Sequence, residues 1–336
     1  MAQTDRASVS PGLILALLAG FPAAHFGAER LARADSISVC SFNIQFVGQS
    51  YRRRDSTLAE VVRDHDIVVV QEIIAPPFPG KFPDGTAFEP DPQTGAFFGA
   101  MTSLGFDYWL SEEDTGTGDD NHDNGPATEW WAAFYKKEVV NRATDLPHGF
   151  LADDRTNHPD FERVPYAFSF RSQNGNLDFV LISVHLKPDA GTANENRRKH
   201  ELSAIATWID EHDDGAEKDF IILGDMNIQS QAELEEIIPD EFTSLNDECR
   251  DTATSTNQDK PYDHVMFRPA HTSEIDAGFD LKVINLIDVI PVMNRWNDND
   301  GAFPGKPTYD HDRFRAYFSD HHPVSFRLTI PADGDD

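Results

Sequence analysis

Near its carboxyl end the chain contains SDHHP at residues 319–323, followed directly by the alternating segment VSFRL at residues 324–328. Alternation of polar and apolar residues predicts a β-strand with one buried face. Asp320 and His321 therefore lie at the start of a strand. There they offer a carboxylate for a metal ion and an imidazole that exchanges a proton near neutral pH. Such a pair is by itself more often a cap or a turn, so its meaning depends on the other strand ends.

Polar side chains occur at the ends of several other segments with strand-like patterns. These residues are Asn43, Glu72, Glu129, His185, Asp225, Asn227 and Asp263. Functional side chains tend to lie on loops that meet over a rigid scaffold. Any one of these residues could be an ordinary turn residue, but the complete series predicts that distant segments converge on one site. We interpret it as a metal-assisted phosphodiesterase site.

The composition indicates a folded, strongly acidic protein. Of the 336 residues, 39% are hydrophobic and 24 are phenylalanine, which is enough for one large domain or two small ones. The formal net charge of -30 indicates a solvated acidic surface that repels polyanions. A nucleic-acid substrate would therefore need cations or a locally basic cleft. The two cysteines, Cys40 and Cys249, provide no disulfide framework.

The amino terminus allows two interpretations. Residues 12–24 are apolar but too short to span a bilayer, and they have the length of a signal-peptide core. Residues 32–34 are ARA, which has the form of a cleavage site. We expect residues 1–34 to be the signal peptide of a secreted or periplasmic protein. The alternative is an amino-terminal helix packed on the domain of a cytoplasmic protein. No other segment predicts a membrane span.

Eight segments have the pattern of strands and two have the pattern of helices. The predicted strands cover residues 36–44, 67–70, 130–135, 166–170, 178–184, 220–223, 263–267 and 324–328, and the predicted helices cover 56–64 and 194–212. Residues 75–93 and 111–125 are predicted loops, and residues 294–318 are a predicted irregular insertion. Few helices among many strands predict an α+β fold of two packed sheets flanked by helices. We expect one domain over residues 35–330 and an acidic tail at 331–336.

The order of short motifs along the chain is similar to that of a known superfamily. The matching blocks are SFNIQ at 41–45, DIVVVQE at 66–72, FERVP at 161–165, VH at 184–185, GDMN at 224–227, TATSTN at 252–257, YDH at 262–264 and SDHHP at 319–323. On these blocks the chain resembles the endonuclease/exonuclease/phosphatase superfamily. The TATSTN block and a histidine at position 185 make it most similar to the deoxyribonuclease I branch of that superfamily. The resemblance implies a metal-dependent phosphoric ester hydrolase. It also implies a four-layer α/β/β/α sandwich, with two mixed β-sheets face to face and helices outside.

The resemblance implies a mechanism with two histidines. His321 would pair with Asp263 and act as the base that activates water. His185 would pair with Glu129 and act as the acid that protonates the leaving oxygen. A carboxylate behind an imidazole fixes its tautomer and stabilises the imidazolium. The sequence does not distinguish this assignment from an exchange of the two roles.

The remaining residues of the series would hold a metal ion and the phosphate, as the resemblance implies. The implied metal ligands are Glu72, Asn43, Asp320 and Asp225. The expected ion is Mg²⁺, with Mn²⁺ or Ca²⁺ as alternatives, because hard ions prefer oxygen ligands. The implied phosphate ligands are Arg163, Asn43 and Asn227. A guanidinium fork matches two phosphate oxygens, and Asp225 and Asn227 also belong to the implied catalytic set.

Several positions depart from the deoxyribonuclease I pattern and bear on duplex binding. Ile74 stands where that branch has an arginine that enters the minor groove, and Ala127 stands where it has a tyrosine. The disulfide of the branch, which follows the GDMN block, is absent. The basic residues RRR at 52–54 are a candidate contact to a polyanion backbone, whereas RRK at 197–199 is expected to be a solvated helix face.

Three functions are compatible with these observations. The first is a relatively nonspecific, divalent-metal-dependent endonuclease that cleaves nucleic acid by in-line water attack, and we expect it to be a monomer. The second is a phosphodiesterase or phosphatase acting on lipid headgroups or small phosphoesters, because sphingomyelinase-like members also have a histidine at the position of His185. The third is an inactive binding module of the same fold, which the complete series of polar residues argues against.

Overall fold

The computed structural model describes residues 35–49, 52–116, 122, 128–213 and 217–332. These residues include fifteen β-strands and six α-helices. The predicted signal peptide at 1–34, the departure at Ala127 and most of the predicted acidic tail lie outside these residues. Within the described residues, each helix is too short or too polar to cross a bilayer.

Strands and helices follow one another along the chain without regular alternation. The strands are β1 (Ser36–Val47), β2 (Ile67–Ile73), β3 (Gly80–Lys81), β4 (Ala87–Phe88), β5 (Asp107–Leu110), β6 (Trp130–Tyr135), β7 (Val140–Arg142), β8 (Gly149–Phe150), β9 (Tyr166–Ser172), β10 (Asp178–His185), β11 (Phe220–Asp225), β12 (Thr243–Ser244), β13 (Asp263–Phe267), β14 (Lys282–Val283) and β15 (Val324–Thr329). The helices are α1 (Asp55–Val62), α2 (Pro92–Ser103), α3 (Thr192–His212), α4 (Gln231–Ile237), α5 (Leu286–Val292) and α6 (His311–Tyr317), with a 3₁₀ turn at Asp298–Asp300.

Thirteen of the strands form two mixed sheets, while β3 and β4 pair only with each other. The first sheet has the order β14-β15-β1-β2-β6-β5, and the second has the order β12-β13-β11-β10-β9-β7, with β8 also paired to β9. β1 and β2 run parallel, as do β10 and β11, while the other neighbours run antiparallel. Two parallel pairs, one in each sheet, therefore form the central part of the fold.

Apolar clusters fill the spaces between the layers. The central cluster joins side chains of both sheets, such as Trp131 of the first and Phe168 of the second. A second cluster lies between the first sheet and the helices α1, α2, α5 and α6, and a third lies between the second sheet and α3 and α4. Full burial of one phenylalanine contributes about 1.5–3 kcal/mol, so these clusters stabilise the layered packing. The predicted α+β fold, with two mixed sheets between helices, is confirmed.

The structure contains helices and strands that the sequence did not predict, and two of these helices lie in predicted irregular segments. Helix α2 begins inside the predicted loop 75–93, where the Asp91 carboxylate accepts hydrogen bonds from two backbone N–H groups and so caps the helix. The predicted irregular insertion 294–318 contains α6, whose Phe314 is fully buried in the second cluster. In both helices the apolar residues are too few to produce a clear periodic signal in the sequence.

Burial of His264 in β13 is expected to make the stability of the fold depend on pH. Its ring is fully buried, and Nδ1 lies 2.8 Å from Ser244 Oγ. Burial lowers the pKa of this imidazole from 6.5 to about 4. As pH falls from about 6.5 to about 4, this histidine is therefore protonated in the unfolded chain before it is protonated in the folded state. The free energy of unfolding decreases by up to about 3 kcal/mol over that pH range. In urea unfolding at about pH 7 and about pH 5, His264→Asn should lose less stability on acidification than wild type. Equal losses would contradict the prediction.

Candidate active site

The pairing of the strands brings the predicted residues to one edge of the sandwich. Parallel β10 and β11 place His185 opposite Asp225, and antiparallel β11 and β13 place Asp225 opposite Asp263. In the other sheet, Asn43 in β1 lies beside the end of β2, which contains Glu72. A hydrogen bond of 2.9 Å from Asn43 Nδ2 to Asp225 Oδ2 joins the two sheets. The site therefore lies where strands of both sheets end.

Backbone geometry at this edge is specialised. Gly224 has a φ of +139°, and a Cβ at this position would lie 2.2 Å from the carbonyl oxygen of Val184. A side chain here would force β11 away from β10, which explains the glycine of the GDMN block. Glu72 and Asn227 have φ values of 61° and 53°. Left-handed backbone costs about 1–3 kcal/mol at such residues and is concentrated at functional sites.

His321 is held by a carboxylate behind its ring. Its Nδ1 lies 2.8 Å from Asp263 Oδ2, and both side chains are buried. Burial alone would lower the pKa of His321, but the negative charges of Asp263 and Asp225 outweigh it and raise that pKa well above its usual value. With Nδ1 directed at Asp263, Nε2 is the nitrogen left for proton exchange.

His185 is held in the same way. Its Nδ1 lies 2.7 Å from Glu129 Oε1, and the same oxygen lies 2.7 Å from Nε of Arg163. Burial and Arg163 lower the pKa of His185, but Glu129 and Asp225 have the larger combined effect and raise it. Burial raises the pKa of Glu129, yet the positive charges of His185 and Arg163 lower it overall. Glu129 is therefore an anion behind the imidazole.

The two imidazoles face one carboxylate oxygen. Nε2 of His185 and Nε2 of His321 each lie 3.5 Å from Asp225 Oδ2. Distant segments thus converge, as the sequence predicted, and both nitrogens lie near the same carboxylate oxygen. Such an arrangement can accept a proton from one reacting group and donate a proton to another. Which ring is the acid and which is the base stays a prediction.

Three side chains at this edge can share a metal ion. Ligand atoms of Glu72, His185 and Asp225 all lie within 4.8 Å of one another. Burial raises the pKa of the Glu72 carboxyl to about 7; His185 opposes this effect and the charge of Asp320 adds to it. A buried carboxyl whose ionisation is opposed by burial and by the charge of Asp320 fits a hard divalent cation, which prefers oxygen ligands. The sequence predicted Glu72 and Asp225 as ligands, and it missed the place of His185 in this group.

The other two predicted metal ligands have protein partners. Asn43 Nδ2 donates to Glu72 Oε1 at 2.8 Å as well as to Asp225, and its Oδ1 accepts the backbone N–H of Gln45. Asp320 Oδ2 accepts a hydrogen bond of 2.7 Å from Gln45 Nε2. The buried Oδ1 of Asp320 has no hydrogen-bond partner among the described residues. Asn43 therefore links two carboxylates, and the ligand roles of Asn43 and Asp320 stay predictions.

Besides Asn43, the other two predicted phosphate ligands are also engaged with the protein. Asn227 donates its backbone N–H to Asp225 Oδ1 at 2.9 Å and its side-chain Nδ2 to the carbonyl of Leu186 at 3.1 Å. Arg163 is 8% exposed and forms the ion pair with Glu129. Arg163 thus stabilises the carboxylate behind His185, and phosphate binding by either residue stays a prediction.

Arg53 is a positioning residue that the sequence did not predict. Its buried guanidinium donates to the backbone carbonyls of Ile44, Gln45 and Phe318. It therefore ties the end of β1 to the segment that leads into Asp320. Among the candidate polyanion contacts at residues 52–54, Arg53 is therefore occupied by backbone carbonyls, and Arg54 forms an ion pair with Asp300. Sequence alone does not separate an arginine that binds buried carbonyls from one that faces solvent.

A model of the endonuclease/exonuclease/phosphatase family matches residues 40–321 of the chain. No curated protein sequence matches it significantly. The chain is similar to the structure of a protein of that family from Bacteroides thetaiotaomicron, with 17% identity, a TM-score of 0.53 and coverage of 88% of this chain and 98% of that one.

Two further structures have the same fold. One is D. rerio TDP2 complexed with single strand DNA product, at 13% identity and a TM-score of 0.51, over 87% of this chain and 98% of that one. The other is a Bacteroides thetaiotaomicron mannosyl-6-phosphatase, at 15% identity and a TM-score of 0.51, over 86% and 98% of the two chains. At these identities the likeness concerns the fold alone.

Proposed function

The chain belongs to the endonuclease/exonuclease/phosphatase family, whose members are metal-dependent phosphoric ester hydrolases, and from this premise we propose that it hydrolyses phosphodiester bonds of nucleic acid by in-line attack of water. The proposal is supported most by the two imidazoles. Each has a carboxylate behind it, and each directs Nε2 to within 3.5 Å of Asp225 Oδ2. A module that only binds nucleic acid has no need of two such pairs.

Proton transfer is divided between the two rings in the proposed reaction. His321 accepts a proton from the attacking water as the new phosphorus–oxygen bond forms. His185 donates a proton to the leaving oxygen as the old bond breaks. Asp263 and Glu129 stabilise the two imidazolium forms and hold the rings in place. Asp225, which lies 3.5 Å from both Nε2 atoms, is placed to orient the water.

Glu72 and Asp225 are the proposed carboxylate ligands of the divalent cation. Asn43 donates to both carboxylates and so fixes their separation. When bound, Mg²⁺, or Mn²⁺ or Ca²⁺ in its place, would supply positive charge to the phosphoryl oxygens. The contribution of the chain is to present the two carboxylates, already desolvated, in a fixed position.

The TATSTN block at 252–257 supports a nucleic-acid substrate, because it is similar to the corresponding block of the deoxyribonuclease I branch. It also lies against the proposed site. The backbone N–H of Thr254 donates to the carbonyl of Asp320 at 2.8 Å, and Ala253 forms a β-bridge with His321. The block is therefore close to the residues that would meet the strand.

A small phosphoester is the second candidate, and the charge distribution favours it. The net charge is -30, Arg53 is buried on backbone carbonyls, and Arg54 is paired with Asp300. Such a surface disfavours the binding of a polyanion more than the binding of a substrate with one or two charges. In this case the same two imidazoles would act on a lipid headgroup or another small ester.

Plasmid nicking tests the choice of substrate. In the presence of Mg²⁺ the protein is expected to convert supercoiled plasmid into nicked circles, because it would cleave phosphodiester bonds within a strand. EDTA and the variant His185→Ala should each prevent nicking. Cleavage of a chromogenic phosphodiester with the plasmid left supercoiled would support the small phosphoester instead. Absence of both activities would contradict hydrolysis of phosphodiesters.

A further inference from the structure

Arg198 and Glu201 lie on one face of α3 and are both completely buried. The sequence RRK at 197–199 predicted a solvated helix face, and that prediction is wrong for Arg198. A buried charge destabilises a protein unless it is paired and hydrogen-bonded on all sides. The partners of these two side chains therefore indicate what they hold in place.

Arg198 connects the segments that follow β10 and β11. Its Nη1 donates to the backbone carbonyls of Lys187 and Asp189, each at 2.8 Å. Its Nε donates to Glu233 Oε1 at 2.7 Å. The other oxygen of Glu233 accepts the backbone N–H of Gln229 at 2.8 Å. Through Glu233, one guanidinium fixes two segments relative to α3.

Glu201 adds a third segment. Its Oε1 accepts the backbone N–H of Glu162 at 2.7 Å, and its Oε2 accepts the backbone N–H of Lys187 at 2.8 Å. The side chains of Glu162 and Lys187 also form an ion pair of 2.7 Å. One buried carboxylate thus joins the segment before β9 to the segment after β10.

Each of the three segments presents a residue of the proposed active site. Lys187 lies two residues after His185, Gln229 lies two residues after Asn227, and Glu162 directly precedes Arg163. We propose that Arg198 and Glu201 are positioning residues that set the placement of these segments and so align His185 with the scissile phosphate. The inference rests on the proposed hydrolysis, and neither residue has to contact the substrate.

Arg268 provides a matched control at the other end of the same helix. It is buried like Arg198, and it forms ion pairs with Asp210 and Asp213 near the carboxyl end of α3. Arg268 directly follows β13, whereas Asp263 begins it, and the two residues are separated by about 16 Å along the strand at about 3.3 Å per residue. Its loss removes the ion pairs of a buried guanidinium with α3 and Asp213 without releasing a segment of the site.

The experiment compares Arg198→Met and Glu201→Gln with Arg268→Met on a phosphodiester with an alkoxide leaving group, such as a DNA oligonucleotide, because that leaving group needs the proton that His185 donates. In Glu201→Gln an amide N–H₂ replaces one acceptor oxygen, so one of the two backbone N–H groups loses its partner. We expect the first two variants to lower kcat by about 10- to 100-fold with KM changed by less than about threefold. Arg268→Met should lower Tm by a similar amount and keep kcat within about twofold of wild type.

The proton that His185 Nδ1 shares with Glu129 gives a second readout, by nuclear magnetic resonance. Its signal should shift or broaden in Glu201→Gln and stay unchanged in Arg268→Met. Equal kcat losses in all three variants with an unchanged His185 signal would overturn the positioning role. If Arg198→Met does not fold, Glu201→Gln decides. Failure of the wild type to hydrolyse any phosphoester would instead contradict the proposed function, while the resonance comparison still tests the positioning.

Discussion

Replacement of His321 with alanine is expected to lower kcat for phosphodiester hydrolysis by about a thousandfold, because a positioned general base contributes roughly 10²–10⁴ in rate. The chain should stay folded. The ring is buried at the edge of the sandwich rather than in the three apolar clusters. Burial already raises the pKa of Asp263, the carboxyl left behind, so it can take up a proton once the imidazole is gone.

The effect of His185→Ala should depend on the leaving group. A nucleic-acid strand leaves as an alkoxide, which needs a proton, so loss of the general acid should cost about as much as loss of the base. Bis-p-nitrophenyl phosphate releases a phenolate that needs no proton, and most of the loss should disappear with this substrate. His321→Ala should be impaired on both substrates, since water has to be activated in either case.

Rates of both variants on both substrates assign the two roles. If the activated ester restores the rate of His321→Ala rather than that of His185→Ala, then His321 is the acid and His185 is the base. Near-wild-type rates in either variant on both substrates would contradict the site assignment. His200→Ala is the matched control, because His200 is a half-exposed histidine on α3 that pairs with Asp160 at 2.8 Å, and its loss should leave kcat unchanged.

The strand ends could be predicted from sequence because each one joins a buried run to a polar residue. The apolar residues of β11 indicate a buried strand, and Asp225 stands at its end. The same pattern places His185 at the end of β10. Patterns and motif order predict which residues approach one another. The distances depend on strand pairing between segments far apart in the chain, which a local pattern does not contain.

The buried arginines could not be predicted in this way. Arginine is rarely fully buried, and a local sequence does not reveal where its five N–H groups will find acceptors. Arg53 donates to the carbonyl of Phe318, which is 265 residues away in the sequence. Arg198 is buried because Glu233 and two carbonyls are brought to it by other elements. In each case the acceptors come from tertiary structure.

Replacement of Glu72 with glutamine is expected to remove metal-dependent activity and metal-dependent stability together. Glu72 supplies one of the two carboxylates in the group of ligand atoms within 4.8 Å. In wild type, Mg²⁺ at about 100 times its Kd should stabilise the folded state by about 2.7 kcal/mol, which raises Tm. In Glu72→Gln the same Mg²⁺ concentration should change Tm little, and kcat should fall to the level of wild type in EDTA. Thermal unfolding with and without Mg²⁺ measures the difference.

The dependence on pH separates a lost ligand from a general loss of structure. The pKa of Glu72 is about 7 in the folded state and 4.5 ordinarily, so without a cation this group lowers stability as pH rises from about 4.5 to about 7. A cation competes with that proton, and the Mg²⁺-induced rise in Tm should be larger at about pH 8 than at about pH 6. Glu60→Gln is the control, because Glu60 pairs with Arg63 and Arg295 away from the site and should keep the full Mg²⁺ response. An undiminished response in Glu72→Gln would place the cation elsewhere.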